Sequence, residues 1–327
     1  MTPAWNEPMK RVLPLLLFLA AAGCATTGPG AGVAFTVRED GDVLRILRDN
    51  RPAAAYQLRE RVFPDSAAQN RCGYFRELFT PSGRLVTEDG PPDHRHHRGL
   101  FLTWNRVSWA RDPAKGWEQT ANFWELRPDS GRRTPAERVD ARADGGEAAF
   151  TVRHDWRIGE RVILKETLAA RLTAPAPSVT RLDLDFRLAS VDGAVELSEY
   201  AHHEPGNPNF YGSLGLRASP EFPADALVFT YADARDHNAT DDGRFEGSWV
   251  DLSGPLAGGS AGVALAWHPE NPPARLNHWR KLRFINTDLT ALGPVQIPAG
   301  SILRLRFCAL IHDGDAAAAR VGELARW

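Results

Sequence analysis

The chain has 327 residues, of which 43% are hydrophobic and 24% are charged, with a formal net charge of −2 at pH 7. That composition supports a packed core and excludes an intrinsically disordered chain. With 39 Lys and Arg against 41 Asp and Glu, no excess of positive charge is present to hold a nucleic-acid backbone, so no nucleic-acid partner is expected. The 28 Gly and 24 Pro predict many short elements joined by turns.

The N-terminus has the pattern of an export signal. Lys10 and Arg11 precede an apolar run over residues 12–22. At about eleven residues, this run is too short to cross a bilayer as a helix. We therefore expect residues 1–23 to be a signal peptide of the lipoprotein type, and the protein to be exported.

The three cysteines lead to two expectations, one for Cys24 and one shared by Cys72 and Cys308. Cys24 directly follows small residues, as in a bacterial lipobox, so we expect it to carry a lipid and residues 24–32 to form a flexible tether. Plain cleavage beside a free Cys24 is the alternative. The lipid would hold the protein at the periplasmic side of the outer membrane and would be its only membrane contact. Cys72 and Cys308 either form a disulfide or stay free thiols, and their spacing matches no metal site.

Alternation of apolar and polar residues dominates the rest of the chain and predicts β-strands. The predicted strands cover 33–37, 43–47, 99–104, 150–156, 162–172, 181–188, 195–200, 227–230, 262–267 and 301–311. A helix is expected at 316–325, a second short one near 53–60, and a surface loop at 127–142. Half-buried alternation is typical of antiparallel sheets, and no repeat of 20–50 residues indicates a propeller or solenoid. We therefore predict an all-β fold, in which residues 33–327 form one large antiparallel two-sheet sandwich with a short C-terminal helix.

The segment 91–98 concentrates side chains that can do chemistry, directly before a predicted strand. A neutral imidazole is an acid or base near pH 7, and a neighbouring guanidinium stabilises an oxyanion or orients a carboxylate. We expect His94 or His97 to act as the general acid or base, with Arg98 as the oxyanion or carboxylate partner. On an extended chain His94 and His96 face away from His97, so the three meet only where the backbone turns.

Two other interpretations of this segment stay open. It could be a polar turn whose side chains bind backbone groups. Alternatively, His94 and His96, spaced i, i+2, could bind a transition metal with a distant His. No cofactor is predicted, and a metal enters only through that alternative.

Other histidines follow predicted strands. His203 and Glu204 lie in the loop over 199–211 and would form a second acid/base pair, unless that loop is merely solvated. His312 ends the last predicted strand, and His268 ends another. Because strand ends of a sandwich gather at one rim, we expect these side chains to meet the segment 91–98 there.

Two tryptophans that follow this segment, Trp104 and Trp124, are candidate platforms for sugar rings. An indole stacks on the apolar face of a sugar while its N–H reaches hydroxyls. Packing in the core is the alternative for each of them.

Several short segments together resemble one protein family. They are FTPSG at 79–83, PPDHRHHRGL at 91–100, NFW at 122–124, GSLGLR at 212–217, WVDLSG at 249–254, HPENP at 268–272, PAG at 298–300 and HDG at 312–314. In this order they resemble the bacterial methane oxygenase PmoA-like domain family, whose function is essentially unknown. The resemblance covers residues 35–327 and implies an exported β-protein. The long antiparallel pattern is also similar to the galactose-mutarotase supersandwich, which hosts epimerases, lyases and hydrolase-associated domains.

These observations together predict an exported lipoprotein with a His- and Arg-rich cleft that acts on a carbohydrate by acid/base chemistry. Epimerisation, elimination and glycosidic cleavage all fit. The residues assigned to substrate binding are Asp93, His96, Trp104, Trp124, Arg217, His268 and Asn271. Three alternatives remain: a non-catalytic carbohydrate-binding protein, a metal-dependent enzyme that uses the His cluster, and a structural envelope protein. The ligand would be a carbohydrate or another small molecule.

Overall fold

Antiparallel strand pairing organises the protein. The computed structural model describes residues 32–63, 71–125, 127, 129–203, 212–233, 235, 237–239 and 242–327. Within these ranges lie 22 strands and one α-helix. Residues Val33–Trp327 form one compact unit. Cys24 and the predicted signal and tether, apart from Gly32, lie outside the described residues.

The strands form three sheets. In spatial order, the first sheet contains β1 (Phe35–Asp40), β2 (Val43–Arg48), β3 (Arg51–Gln57), β4 (Tyr74–Leu78), β5 (Leu100–Trp104), β14 (Gly212–Arg217), β20 (Phe284–Asp288), β19 (Arg275–Trp279) and β16 (Asp242–Phe245). The second contains β15 (Val228–Tyr231), β17 (Trp249–Leu256), β18 (Gly259–Trp267), β22 (Ile302–Asp313), β12 (Val179–Ser190), β11 (Arg161–Ala176), β10 (Glu147–Ile158) and β8 (Arg132–Arg133), with β9 (Glu137–Asp144) also paired to β10. The third contains β21 (Val295–Ile297), β13 (Ala194–Ser198), β6 (Arg106–Ala110) and β7 (Gln119–Ala121).

The first and second sheets bury their inner faces against one another. Leu102 and Leu216 of the first sheet belong to the same buried apolar cluster as Leu184 and Phe307 of the second. Full burial of side chains of this size stabilises the fold by roughly 1.5–3 kcal/mol each. The predicted all-β antiparallel sandwich is therefore confirmed. The third, four-stranded sheet was not predicted.

The alternation that predicted strands appears as alternating burial. In β12 the side chains from Leu182 to Leu188 alternate between buried and partly or fully exposed positions. The helix predicted near 53–60 is wrong, because Ala53–Ala55 and Tyr56 are all buried in β3, and burial on both faces removes any alternation. The loop predicted at 127–142 contains β8 and most of β9.

The C-terminal segment packs on the outer face of the second sheet. Its helix, α1 (Val321–Leu324), is shorter than the predicted 316–325. Val321 and Ala325 are buried with Cys308 and Leu310 of β22. Of the helices in the described part of the chain, none has the length and apolarity that crossing a membrane requires.

Cys72 and Cys308 are both free and buried. Burial raises the pKa of each thiol to about 12, which keeps both in the unreactive protonated form. The open choice between a bridge and free thiols is therefore decided in favour of free thiols.

One ion pair is fully buried on the outer face of the second sheet. His312 Nε2 lies 2.8 Å from Asp251 Oδ1, and both side chains are 0% exposed. Burial by itself lowers the pKa of His312, but the charge and hydrogen bond of Asp251 outweigh it, so the pKa is raised above its usual value. A raised histidine pKa stabilises the fold at pH values below the unfolded pKa of about 6.5, and that contribution is lost as the pH rises through the folded pKa.

Substituting Asp251→Asn should lower the free energy of unfolding by about 3 kcal/mol at pH 6, because one partner of a buried pair is removed. The difference from wild type should be smaller at pH 9 than at pH 6, because the ion pair is lost as His312 deprotonates. Urea unfolding at the two pH values measures this. Asp185→Asn is the control, since Asp185 pairs with Arg304 in a partly exposed setting and should cost less than about 1 kcal/mol at either pH. A difference that does not change with pH would contradict the expectation.

Candidate functional site

A tight turn before β5 brings the three clustered histidines together. The amide of His94 donates to Pro91 O (3.2 Å) and that of His97 to His94 O (2.9 Å). The ring centroids of His94 and His97 are 4.8 Å apart in a stack, and those of His96 and His97 are 4.7 Å apart, edge to face. The separation expected on an extended chain is therefore removed by the turn.

The histidine cluster rests on an aromatic layer on the outer face of the first sheet. Phe101 points outward because its neighbours Leu100 and Leu102 are in the sandwich core. The ring of His97 stacks on Phe284 of β20, with centroids 4.6 Å apart. Trp279 of β19 is half-buried beside Phe284, at 5.4 Å. The site therefore has an apolar floor beneath its imidazoles.

Arg217, at the end of β14, connects the cluster to two carboxylates. Its guanidinium donates to both oxygens of Asp93 (3.1 and 2.9 Å) and to Glu88 Oε2 (3.1 Å). Asp93 Oδ2 also lies 3.0 Å from His94 Nδ1. Burial raises the pKa of Asp93, but the hydrogen bonds from Arg217 and His94 outweigh burial and lower it below its usual value. Because an ionised carboxylate only accepts, His94 Nδ1 carries the proton and its Nε2 is left for proton exchange.

His96 and His97 are held in the neutral form. Burial, followed by the neighbouring His94 and arginines, lowers the pKa of His96 to about 3. Burial and then His96 and Arg217 lower the pKa of His97 well below its usual value. Arg217 Nη1 lies 3.4 Å from His97 Nδ1, and a guanidinium can only donate, so Nδ1 accepts and Nε2 carries the proton of His97.

Arg98 is directed away from the histidines. Its guanidinium is 0% exposed, lies 3.6 Å from Asp89 Oδ1, and packs over the rings of Phe63 and Tyr74 at 4.6 and 5.7 Å. The glycine at 90, with φ +65°, allows this packing, because a Cβ there would lie 2.5 Å from Phe63 and 2.7 Å from Arg98 Nη1. The expected pairing of Arg98 with His94 or His97 is therefore corrected, and Arg217 is the guanidinium that faces them.

His203 lies at the third sheet rather than in the cluster. Its Nε2 is 3.0 Å from Ser198 Oγ and 3.4 Å from Glu196 Oε1, both of β13. Its predicted partner Glu204 lies outside the described residues. The adjacent His202 binds Thr290 O at 2.6 Å, past the far end of β20 from Phe284. That strand separates His202 from His97 by roughly 13 Å along its length, at about 3.3 Å per residue.

His312, His268 and Asn271 lie on the second sheet, so the expected meeting of all strand-end histidines at one rim is not found. His312 shares the outer parity of Cys308 and Leu310 on β22, which is the opposite side of the sandwich from His97. His268 Nδ1 accepts from Arg306 (3.0 Å). Asn271 pairs with the backbone of Arg306 through both its side-chain oxygen and nitrogen (2.9 and 2.8 Å), which fixes the loop after β18.

The two tryptophans proposed as sugar platforms are buried. Trp104 is 1% exposed and lies in the sandwich core, 6.0 Å from the ring of Trp156. Trp124 is also 1% exposed and sits edge to face against His97 at 6.0 Å. Both assignments to substrate binding are corrected: Trp104 packs the core, and Trp124 supports the histidine cluster.

A polar row that was not predicted from the sequence continues from the aromatic floor. Asn286 and Asp288 follow Phe284 at alternate positions of β20, and Asn277 lies beside them on β19. Asn277 Nδ2 donates to Asn286 Oδ1 (3.0 Å) and Asp288 Oδ2 (3.2 Å). Only Ile285 is apolar between Phe284 and Asp288, so alternation indicates this row only weakly. Among the described residues, no group of three His, Cys, Asp or Glu is arranged to hold a metal ion.

Comparison with known proteins assigns the chain to a family without a known activity. Residues 43–326 match a family described as a family of unknown function (DUF6807), and the chain belongs to that family. The expected membership of the PmoA-like family is therefore wrong. Segments such as PAG at 298–300 form turns here, and turn residues recur in many β-proteins for backbone reasons. No curated protein matches the chain.

Several solved structures share parts of the fold at low identity. A heparan sulfate lyase mutant from Pedobacter heparinus is 10% identical with a TM-score of 0.41 over 88% of this chain, which spans only 36% of that protein. A "putative aldose 1-epimerase" from Klebsiella pneumoniae subsp. pneumoniae MGH 78578 is 8% identical with a TM-score of 0.45, covering 89% of this chain and 87% of that one. A "putative mutarotase" from Salmonella typhimurium is 11% identical with a TM-score of 0.34, covering 85% and 94%. Likeness at this level carries no argument about activity.

The neutral state of His97 can be measured directly. Its ring nitrogens should keep the ¹⁵N shifts of a neutral imidazole from pH 8 to pH 5, with the proton on Nε2. The same residue in urea-unfolded protein is the control and should titrate near its usual value of about 6.5. Because the unfolded chain binds protons that folded His96 and His97 do not, the contribution of these two residues to stability should also fall as the pH drops below about 6.5, opposite in sign to that of His312. Protonation of folded His97 above pH 5 would contradict this account.

Proposed function

We propose that this chain, a member of a family of unknown function, binds a carbohydrate on the outer face of the first sheet and transfers a proton to or from it through His94. The observation that carries the proposal is the chain of contacts from Arg217 through Asp93 to His94. An imidazole oriented by a carboxylate, with its second nitrogen left for exchange, is the usual acid/base arrangement.

The surroundings of His94 support a role at the surface of the site. Its side chain is 33% exposed, whereas His97 is 2% exposed beneath it. The neutral His97 and the Phe284 ring give His94 a low-polarity support that does not compete for its proton. Arg217 neutralises Asp93, so the carboxylate orients His94 without adding an uncompensated charge.

The same face offers groups suited to a sugar. Trp279 is half-buried and packs on Phe284 beneath the cluster, so we expect it to be the indole that contacts a sugar, in place of the buried Trp104 and Trp124. His96, also half-buried, stays neutral and can donate or accept a hydrogen bond. Proton transfer at a sugar carbon or oxygen fits this set, and the reaction class is epimerisation, elimination or glycosidic cleavage.

Export and lipid anchoring complete the proposal. The basic pair before a short apolar run, followed by small residues and Cys24, supports a lipoprotein held at the periplasmic side of the outer membrane. A carbohydrate-acting protein at that place would meet polysaccharide fragments that enter the periplasm.

Substituting His94→Gln should lower kcat about 100-fold or more on the substrate identified from a panel of sugars, uronides and glycosides, because the acid/base group is lost. Affinity should change only a few-fold. Asp93→Asn should lower kcat about tenfold, since the carboxylate that orients the His94 ring is lost. Steady-state kinetics between pH 4 and pH 9 measure both effects.

The matched control is His202→Gln, which alters an exposed histidine past the far end of β20 and should leave kcat unchanged. Binding without turnover of any panel member would show a carbohydrate-binding protein and overturn the acid/base assignment. Full turnover in His94→Gln would overturn the assignment of His94, and failure to bind any panel member would overturn the carbohydrate class.

Labelling cells with a radioactive fatty acid tests the anchor. We expect label in the wild-type protein and none in Cys24→Ala, because the modified thiol is removed. Cys308→Ala is the control and should keep the label, since that thiol is buried and protonated. Label that persists in Cys24→Ala would contradict lipidation at this residue.

A further inference from the structure

A groove crosses the outer face of the second sheet, on the opposite side of the sandwich from the histidine cluster. Its volume is about 590 Å³, within the range of roughly 300–1,000 Å³ typical of small-molecule sites. The floor is formed by Ala149 and Thr151 of β10 and Ala169 of β11, and Thr151 pairs directly with Ala169. Small side chains on adjacent strands leave this part of the sheet open.

Charged side chains border the floor and are held in place by ion pairs. Ala169 pairs across the strands with Asp185, and Asp185 is held by Arg304 at 2.6 Å. Arg171 lies 3.3 Å from Glu147 and 3.7 Å from Asp183. Arg171 and Asp185 therefore each have oppositely charged partners beside the floor.

The C-terminal residue forms an aromatic wall of the groove. Trp327 is 45% exposed, and among the described residues it is the one aromatic side chain in the set of exposed large hydrophobics. Its indole contacts Arg181, whose guanidinium lies 5.3 Å from the ring centroid, and the ring of His268 at 4.9 Å. An indole exposed at a polar groove is suited to stacking on a ligand ring.

We propose that this groove binds a sugar unit of an oligosaccharide. The Trp327 indole stacks on the ring face, Asp183 and Asp185 accept hydrogen bonds from hydroxyls, and Arg171 and Arg306 donate to hydroxyl oxygens. A sugar hydroxyl both donates and accepts, which matches a lining in which carboxylates and guanidinium groups alternate. An alkyl chain would instead cover these charges without replacing their contacts with water.

The proposal also explains two residues that the sequence analysis assigned to substrate binding. His268 contacts Trp327, and Asn271 fixes the backbone of Arg306 at the groove edge. Both lie on this face rather than beside His94. The groove is separate from the site of the proposed function and does not depend on it.

The experiment is calorimetric titration of the full-length protein with cellohexaose, xylohexaose and a galacturonic acid hexamer, which differ in charge and hydroxyl pattern. The variant Ala169→Gln places a longer neutral side chain over the floor and should weaken binding of the recognised hexamer about tenfold or more. Trp327→Ala should weaken it about fivefold, through lost stacking. Circular dichroism and thermal melting of each variant check that it is folded.

Thr167→Gln is the matched control, because Thr167 lies on the same face of β11 two residues from Ala169 and outside the groove lining. It should bind within twofold of wild type, and His94→Gln should retain groove binding. If none of the three hexamers binds, or if Ala169→Gln and Trp327→Ala bind as wild type does, the proposal is overturned. Binding that is lost only in His94→Gln would overturn the groove and leave the proposed function standing.

Discussion

The buried guanidinium of Arg217 is the interaction on which the rest of the candidate site depends. It is 2% exposed, and a buried charge persists only when it is paired and hydrogen-bonded. Its partners Glu88 and Asp93 both come from the long connection between β4 and β5. Its backbone binds the same connection, since its amide donates to Gly99 O and its carbonyl accepts from Glu88, both at 2.9 Å. Arg217 thus connects the histidine turn to the end of β14, and the charge of its guanidinium is compensated by Glu88 and Asp93.

The sandwich separates two kinds of outer surface. On the first sheet, aromatic side chains and neutral histidines lie close to paired charges, an arrangement suited to proton transfer. On the second sheet, arginine–carboxylate pairs surround a shallow floor and an indole, an arrangement suited to holding a polar ring without reacting with it. The apolar core between the two sheets keeps the side chains of one outer face out of contact with those of the other.

The sequence predicted strand-rich architecture because alternation survives wherever one sheet face is exposed, as in β12. It failed where both faces are covered, as at Ala53–Tyr56 in β3. The burial of Trp104 could have been predicted, since it shares the parity of Leu100 and Leu102 on β5. The position of His312 on the second sheet could not be predicted, because parity shows on which face of its strand a side chain lies but not which sheet that strand joins.

The pattern of alternation likewise could not predict that His94, His96 and His97 lie close together. Their proximity depends on two backbone hydrogen bonds in the turn and on Arg217, which lies more than a hundred residues downstream. Local pattern identified the reactive side chains, whereas long-range contacts decided which of them meet. Arg98 is one example. It directly follows His97 in the chain, but its side chain packs over Phe63 and Tyr74 rather than on the aromatic layer beneath His97.

The state of Cys72 and Cys308 has a consequence for how the protein matures. Neither thiol is accessible, and burial holds each in the protonated form, so neither is poised to attack another sulfur. The native structure between Val33 and Trp327 therefore forms without any oxidation step. Biogenesis of this domain needs no disulfide-forming catalyst, and its fold is insensitive to the redox poise of the compartment in which it is made.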